Sequence, residues 1–225
     1  MFENFVQLLV TGLSIIVAIL CIRYRSIKEA DKIKHKVQSI IKGGLKTNIY
    51  LSVMIVSCMA ISGLLIIIYK DNSIIFNIKR IILICLLWIA AYYDYKYMRI
   101  PNRLILIGVV WRIIIFIFEL VFERNNLFTT VKSEILAAGI LVVASIICMI
   151  IIKNSIGMGD VKLFTIMGLF QGINGITYSV FLSLLVSFFV ALFLLAKKKK
   201  GRKDAIPFAP CILVGTMISV FLIGM

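Results

Sequence analysis

The sequence predicts an all-α, polytopic membrane protein. Of its 225 residues, 62% are hydrophobic, and the mean hydropathy is +1.08. Both values are far above those of a soluble domain. The apolar residues form runs long enough for helices of about 20 residues, and a helix satisfies its own backbone polar groups inside lipid. We therefore expect about eight transmembrane helices.

Eight apolar runs can be delimited as spans. They are Phe5–Ile22, Asn48–Tyr69, Ile78–Tyr93, Leu104–Phe122, Ser133–Ile152, Val161–Phe170, Gly175–Ala196 and Pro207–Ile223. The third and sixth are short, and each adjoins an acidic residue, as expected if helix ends dip below the membrane surface. The first run has no small-residue cleavage signal after it, so we interpret it as a retained helix and not as a signal peptide.

Positive charge is concentrated in alternate loops. Segments 23–48, 94–103, 153–162 and 197–204 carry eight, three, two and six Lys or Arg, together 19 of the 25. Because cytoplasmic loops are enriched in these residues, the four loops are predicted to be cytoplasmic, with both termini outside. The net charge of +15 is then explained by topology and by attraction to the anionic lipid of the bilayer, and we expect no nucleic-acid partner.

Two aspartates stand where apolar runs meet short polar turns. Asp160 ends the stretch Gly157-Met158-Gly159-Asp160, and Asp94 precedes Ile100-Pro101-Asn102. The charge pattern places both acids on the cytoplasmic side. Two neighbouring carboxyl groups can share one proton, so that one serves as general base toward water and the other as general acid toward a carbonyl oxygen. The pair therefore predicts the chemistry of an aspartic protease.

The residues around the aspartates suit this chemistry. Gly157 and Gly159 allow positive φ and let a substrate strand approach the backbone. Pro101 fixes the turn after Asp94, because proline cannot continue the preceding helix. The helix that begins near Val161 directs its first N–H groups toward the same region.

Three charged residues also have simpler interpretations, which stay open at this point. Asp160 could be the N-cap of the following helix. Asp94 could be an interfacial charge paired with Lys96 or Arg99. Arg112, within the fourth span, could be an ion-pair partner in the bundle or an anchor that reaches the membrane surface.

Other chemistries lack the residues they need. The single histidine, His35, lies in a basic loop, and the sequence contains no Cys-x-x-Cys pair and no nucleotide-binding glycine motif. A zinc site needs about four well-spaced ligands. We expect no metal and no cofactor, and we interpret the five scattered cysteines as packing residues: Cys21, Cys58, Cys85, Cys148 and Cys211.

Three ordered blocks resemble the type IV prepilin peptidases, the membrane aspartic peptidases of the Gly-x-Gly-Asp type. The blocks are Asp94 with Ile100-Pro101-Asn102, then Gly157-Met158-Gly159-Asp160-Val161-Lys162-Leu163, then Ile206-Pro207-Phe208-Ala209-Pro210. The resemblance covers about residues 78–224. It implies that Asp94 and Asp160 are the catalytic pair. It also implies supporting roles for Gly157, Gly159, Lys162, Pro101, Asn102 and Pro207.

The resemblance further implies a substrate, a location and a division of the chain. Family members remove the short basic leader of prepilins or related pseudopilins at the cytoplasmic face of the cell membrane, usually after a glycine. Residues 1–77 would form an N-terminal two-helix region and residues 78–225 a six-helix catalytic domain. Bifunctional members carry a cysteine-bearing methylating domain after the first helix. Segment 23–48 has no cysteine, so we expect no methyltransferase activity.

Two other functions are compatible with paired membrane aspartates. A presenilin-like or signal-peptide-peptidase-like protease shares the Gly-x-Gly-Asp loop and a Tyr-Asp pair, which Tyr93-Asp94 resembles, but its Pro-Ala-Leu turn is missing from this sequence. An ion-coupled transporter would use Asp94 and Asp160 to take up protons or cations, and an internal repeat would be expected. The helices around the two acids do not repeat each other's motifs.

Overall fold

The computed structural model is α-helical throughout the residues that it describes, which are 2–32, 37–69, 73–124, 127–151, 157–197 and 206–223. Six of the helices are long and apolar enough to cross a membrane, and the last is a shorter apolar helix. The prediction of an all-α, polytopic membrane protein is confirmed. In chain order the helices are α1 (Phe2–Lys32), α2 (Val37–Ile68), α3 (Ile74–Tyr97), α4 (Asn102–Phe122), α5 (Leu127–Ile151), α6 (Met158–Ala196) and α7 (Ala209–Ile223).

Among the described residues seven helices are delimited where eight spans were predicted, because the sixth and seventh spans are joined. The predicted sixth and seventh spans form one element, α6, which is interrupted at Gly172 (φ 64°, ψ −174°). Gln171 Nε2 donates to Ser179 Oγ at 3.0 Å, although residues eight apart in a straight helix are separated by about 12 Å. Gly172 therefore bends α6 sharply, where the sequence pattern suggested a loop. The predicted six-helix core corresponds to five helices, one of them bent.

The third span was predicted to be short, and this prediction is wrong. Helix α3 covers 24 residues, so Asp94 lies inside its last turn. The helix ends at Tyr97. The next residue, Met98, has a φ of 51°, in the left-handed region, and its N–H donates to Asp94 O at 2.8 Å. A left-handed residue after the last turn is a common helix end, and glycine usually occupies it because other residues are strained there.

Helix α4 has the polarity expected of a membrane helix. Its outer face carries Ile113, Ile117 and Phe118, each more than half exposed. Its inner face buries two charged side chains, which is the reverse of a soluble helix and typical of a polar interior in a membrane bundle. The buried positions recur every three or four residues: Leu104, Gly108, Arg112, Ile115 and Glu119.

The chain forms two compact units, Met1–Ile89 and Ala90–Met225, with the boundary inside α3. In the first unit, Tyr50 Oη donates to Trp88 O at 2.8 Å. The buried thiols of Cys58 and Cys85 lie 3.7 Å apart, a pairing that their separation in the sequence does not reveal. The functional division of the chain between residues 77 and 78 stays a prediction.

In the second unit, glycines allow helix backbones to touch. A Cβ added to Gly168 would lie 2.8 Å from the Cα of Ala138 on α5, and one added to Gly215 would lie 2.4 Å from the backbone nitrogen of Ser183 on α6. Small residues at helix contacts permit this close packing in membrane proteins. Helix α6 is therefore packed backbone to backbone against both α5 and α7.

Candidate active site

Asp94 is buried at the end of α3, with 7% of its surface exposed. Its Oδ2 accepts a hydrogen bond from the backbone N–H of Ala209 at 2.9 Å. Ala209 is the first residue of α7, and the first N–H groups of a helix have no partner within the helix. The start of α7 thus supplies a donor that orients the Asp94 carboxyl group.

Asp160 lies in the first turn of α6 and is half-buried. The N-cap of that helix is Gly157, and the backbone N–H of Asp160 donates to Gly157 O at 2.9 Å. The interpretation of Asp160 as the N-cap is therefore wrong, because the helix begins before it. The N-terminal end of a helix carries a partial positive charge, which makes this turn a favourable place for a carboxylate.

The structure brings the two aspartates together. The charge of Asp94 acts on the carboxyl group of Asp160, so the pair lies within range of direct electrostatic repulsion. One acid comes from the last turn of α3 and the other from the first turn of α6. Two interacting carboxyl groups of this kind can hold one proton between them and act as acid and base toward a bound substrate.

The two glycines of the motif provide space, and neither has the positive φ that glycine allows. Gly157 has φ −73° and ψ 143°, an extended conformation, and Gly172 is the positive-φ glycine among the described residues. A Cβ on Gly157 would lie 3.3 Å from Asp160 Oδ2, and one on Gly159 would lie 3.2 Å from Ile100 Cβ. Both glycines thus leave room for neighbouring side chains at the site.

The predicted supporting residues lie at helix starts. Lys162 Nζ donates to Asn102 Oδ1 at 2.9 Å, which joins the first turns of α6 and α4. Pro101 is the N-cap residue of α4, with φ −72° and ψ 136°. Pro207 precedes α7 in a segment without regular secondary structure, and the next residue, Phe208, packs its ring edge-on against Phe164 at 5.8 Å.

Lys96, one of the two proposed partners of Asp94, lies beside aromatic rings. Its Nζ is 5.0 Å from the ring centroid of Tyr97 and 5.8 Å from that of Tyr92. The carboxyl group of Asp94 accepts the N–H of Ala209. This arrangement leaves the acid turned toward the start of α7.

Arg112 is an ion-pair partner inside the bundle. Its Nη2 donates to Oε2 of Glu119 at 2.9 Å and also to Oε2 of Glu134, and its Nε donates to Leu169 O at 2.9 Å. This cluster was not predicted from the sequence. The spacing of Arg112 and Glu119 on one face of α4 was a usable signal, but the contribution of Glu134 from α5 was not visible.

Two further contacts of the site were missed because they involve ordinary residues. The Ala209 contact is made by a backbone N–H, and Ile100 contributes its side chain against Gly159. Within the described part of the chain, no three His, Cys, Asp or Glu side chains gather into a possible metal site. The expectation of metal-independent chemistry stays a prediction.

Comparison with known proteins adds a family. Residues 81–195, slightly more than half of the chain, match the type IV leader peptidase family, and this segment contains both aspartates. A "Prepilin leader peptidase/N-methyltransferase" from Bacillus subtilis (strain 168) is 26% identical over 139 residues, which are 62% of this chain and 53% of that protein. This chain therefore spans about half the length of that relative. No solved structure gives a significant match. On this match over more than half of its length, the chain belongs to the type IV leader peptidase family.

Proposed function

We propose that this protein is a membrane-embedded aspartic endopeptidase that removes the short basic leader of type IV prepilins or related pseudopilins. The observation that carries the proposal is the position of Asp94 and Asp160 at two helix ends, near enough for the charge of Asp94 to act on Asp160. Membership of the leader peptidase family supports the substrate class. The name of the Bacillus subtilis relative supports it as well.

The reaction follows from two carboxyl groups that share a proton. One takes a proton from water while the other gives a proton to the carbonyl oxygen of the scissile peptide, and the roles reverse as the leaving amine departs. Ala209 N–H keeps Asp94 oriented. The space left by Gly157 lets the Asp160 carboxyl group keep its place. We assign the acid and base roles to the pair and not to either residue alone.

The substrate would enter from the cytoplasmic face. Its leader is basic, and Lys96, Arg99 and Lys162 near the aspartates are basic as well. Charge would therefore not draw the leader to these residues. Recognition would depend on the acidic pair, on the backbone at Gly157 and Gly159, and on apolar contact between the substrate helix and the membrane helices.

The decisive experiment replaces each aspartate by asparagine. A reporter prepilin with a lysine-rich leader, a glycine and an apolar helix is co-expressed with each variant, and leader removal is read by mass. Asp94→Asn and Asp160→Asn should each lower the cleavage rate by at least about 100-fold, because a lone carboxyl group cannot act as both acid and base. Asp204→Asn, in the basic segment 197–204 and outside the described residues, is the matched control. Normal cleavage by either active-site variant would remove the aspartate pair from the mechanism.

We also propose that the product is not methylated, because segment 23–48 lacks the paired cysteines of the methylating domain. The purified chain, given the reporter and S-adenosylmethionine, should yield a product of unmodified mass, and a chelator should leave the cleavage rate unchanged. A product heavier by one methyl group would contradict the first statement, and loss of cleavage with chelator the second.

A further inference from the structure

At the bend in α6, two side chains take the place of a backbone hydrogen bond. In a continuous helix, Ile173 N–H would donate to Leu169 O. Here Ile173 N–H donates to Ser133 Oγ at 3.1 Å, and Leu169 O accepts from Arg112 Nε at 2.9 Å. Both halves of the broken bond are therefore satisfied, one from α5 and one from α4.

This replacement is important because α6 is long and apolar enough to cross a membrane. Backbone groups inside a membrane have no water to bond, so an unsatisfied N–H or C=O there is strongly destabilising. Gly172 has a positive φ of 64°, and a Cβ at this position would lie 2.9 Å from Ser133 Oγ. The glycine, the serine and the arginine together specify one bent conformation of α6.

Arg112 is itself held in place by two buried acids. Its Nη2 donates to Glu119 on α4 and to Glu134 on α5, whose side chains are 2% and 4% exposed. A guanidinium group is planar, so fixing Nη2 on these carboxylates also fixes the direction of Nε. The ion cluster thus aims Nε at Leu169 O.

We propose that Arg112 is a positioning residue for the peptidase reaction, because its hydrogen bond to Leu169 O fixes the segment of α6 that carries Asp160. The inference rests on the proposed function of Asp160. Leu169 and Asp160 are separated by about 13.5 Å of helix. A helix this short is stiff, so a movement at Leu169 is transmitted along it to Asp160. A loosened bend would therefore displace the Asp160 carboxyl group relative to Asp94.

The first test is Arg112→Lys. Lysine keeps the positive charge opposite both glutamates, but its single ammonium group cannot reproduce the fixed fork that also reaches Leu169 O. We expect kcat for the reporter prepilin to fall by about 10- to 100-fold with little change in KM, and the amount of folded protein to stay normal. Arg124→Lys, an exposed arginine just beyond the same helix, should leave kcat unchanged. An unchanged kcat in Arg112→Lys would overturn the proposal.

The second test does not depend on catalysis. In a background without the five native cysteines, Ile100→Cys and Gly159→Cys place two Cβ atoms 3.2 Å apart in the structure, close to the separation in a disulfide. The two cysteines should cross-link readily, and several-fold more slowly when Arg112→Lys is added. Equal cross-linking with and without Arg112→Lys would overturn the positioning role even if Asp160 proves essential for cleavage. If Asp160→Asn still cleaves while cross-linking slows, the proposed function fails but the control of α6 by Arg112 stands.

A third variant covers the case in which Arg112→Lys does not fold. Arg112→Met with Glu119→Gln and Glu134→Gln removes the whole charge cluster, a change that buried ion groups often tolerate without loss of stability. It also removes the donor to Leu169 O. The same fall in kcat and the same slower cross-linking are expected. Full kcat in this folded variant would overturn the proposal.

Discussion

Ala209 contributes to the site through its backbone, and two substitutions at this position separate the backbone from the side chain. Ala209→Pro deletes the N–H that donates to Asp94 Oδ2, at the first position of a helix, where proline is well tolerated. A hydrogen bond to a charged group contributes about 1.5–3 kcal/mol, so the rate of leader removal should fall roughly 10- to 150-fold. Initial rates of leader removal from the reporter prepilin measure this fall.

Ala209→Gly is the matched control, because it keeps the N–H. Its rate should stay close to that of the unmodified protein. Ala209 is fully buried, so an equal loss in both variants would show that side-chain packing, and not the N–H, is the contribution of this residue.

Much of the site could be predicted at the scale of single residues, since a carboxylate beside a membrane helix is rare and conspicuous. Asp94 and Asp160 were identified in this way. The donor at Ala209 could not be found, because every residue except proline has an N–H and its direction depends on where α7 packs. The sequence showed glycine at position 157 but could not show that its role is space beside Asp160.

At the scale of helices, Gly215 provides a test of the packing between α6 and α7. A Cβ at this position would lie 2.4 Å from the backbone nitrogen of Ser183, and backbone cannot move aside as a flexible side chain can. Gly215→Ala should therefore destabilise the protein by about 1–3 kcal/mol, as overpacking does. Thermal unfolding in detergent measures the change.

Gly12→Ala is the opposite case. Nothing lies within 4 Å of an added Cβ at Gly12, and alanine is favoured over glycine in a helix by up to about 1 kcal/mol. This variant should unfold at the same temperature as the parent or slightly higher. If Gly215→Ala unfolds at the same temperature as Gly12→Ala, then α6 and α7 are not in close backbone contact at Gly215.

Hydropathy located the helices well and their connections less well. Length and apolar composition determine where a span can exist, and these are properties of the local sequence. The predicted sixth and seventh spans left residues 171–174, which include Gly172, as a connection between two helices. The groups that stabilise a bend there instead, Arg112 and Ser133, come from α4 and α5 and cannot be seen locally.

At the scale of the whole molecule, the predicted topology can be tested by labelling. Single cysteines replace Lys96, Lys198 or Asn125 in a background without the native five; the last two positions lie outside the described residues. An impermeant thiol reagent should label Lys96→Cys and Lys198→Cys only from the cytoplasmic side, and Asn125→Cys only from outside, because basic loops stay inside. Labelling of positions 96 and 125 from the same side would refute the topology, and with it the shared cytoplasmic face of the two aspartates.

The buried charges between α4 and α5 also have a consequence for biogenesis. An arginine near the centre of a lone helix costs about 2.5–3.5 kcal/mol on insertion scales, and acidic residues add to this cost. Arg112 and Glu119 are part of α4, and Glu134 is part of α5. Only residues 123–126 separate the two helices in the sequence. We expect the two helices to enter the bilayer as a hairpin, with the charges paired during insertion.

In a translocon insertion assay, α4 alone should insert less efficiently than the α4–α5 pair, and Arg112→Leu should remove most of that difference. Equal insertion of α4 with and without α5 would mean that each helix enters by itself and that the charges meet only later, inside the membrane.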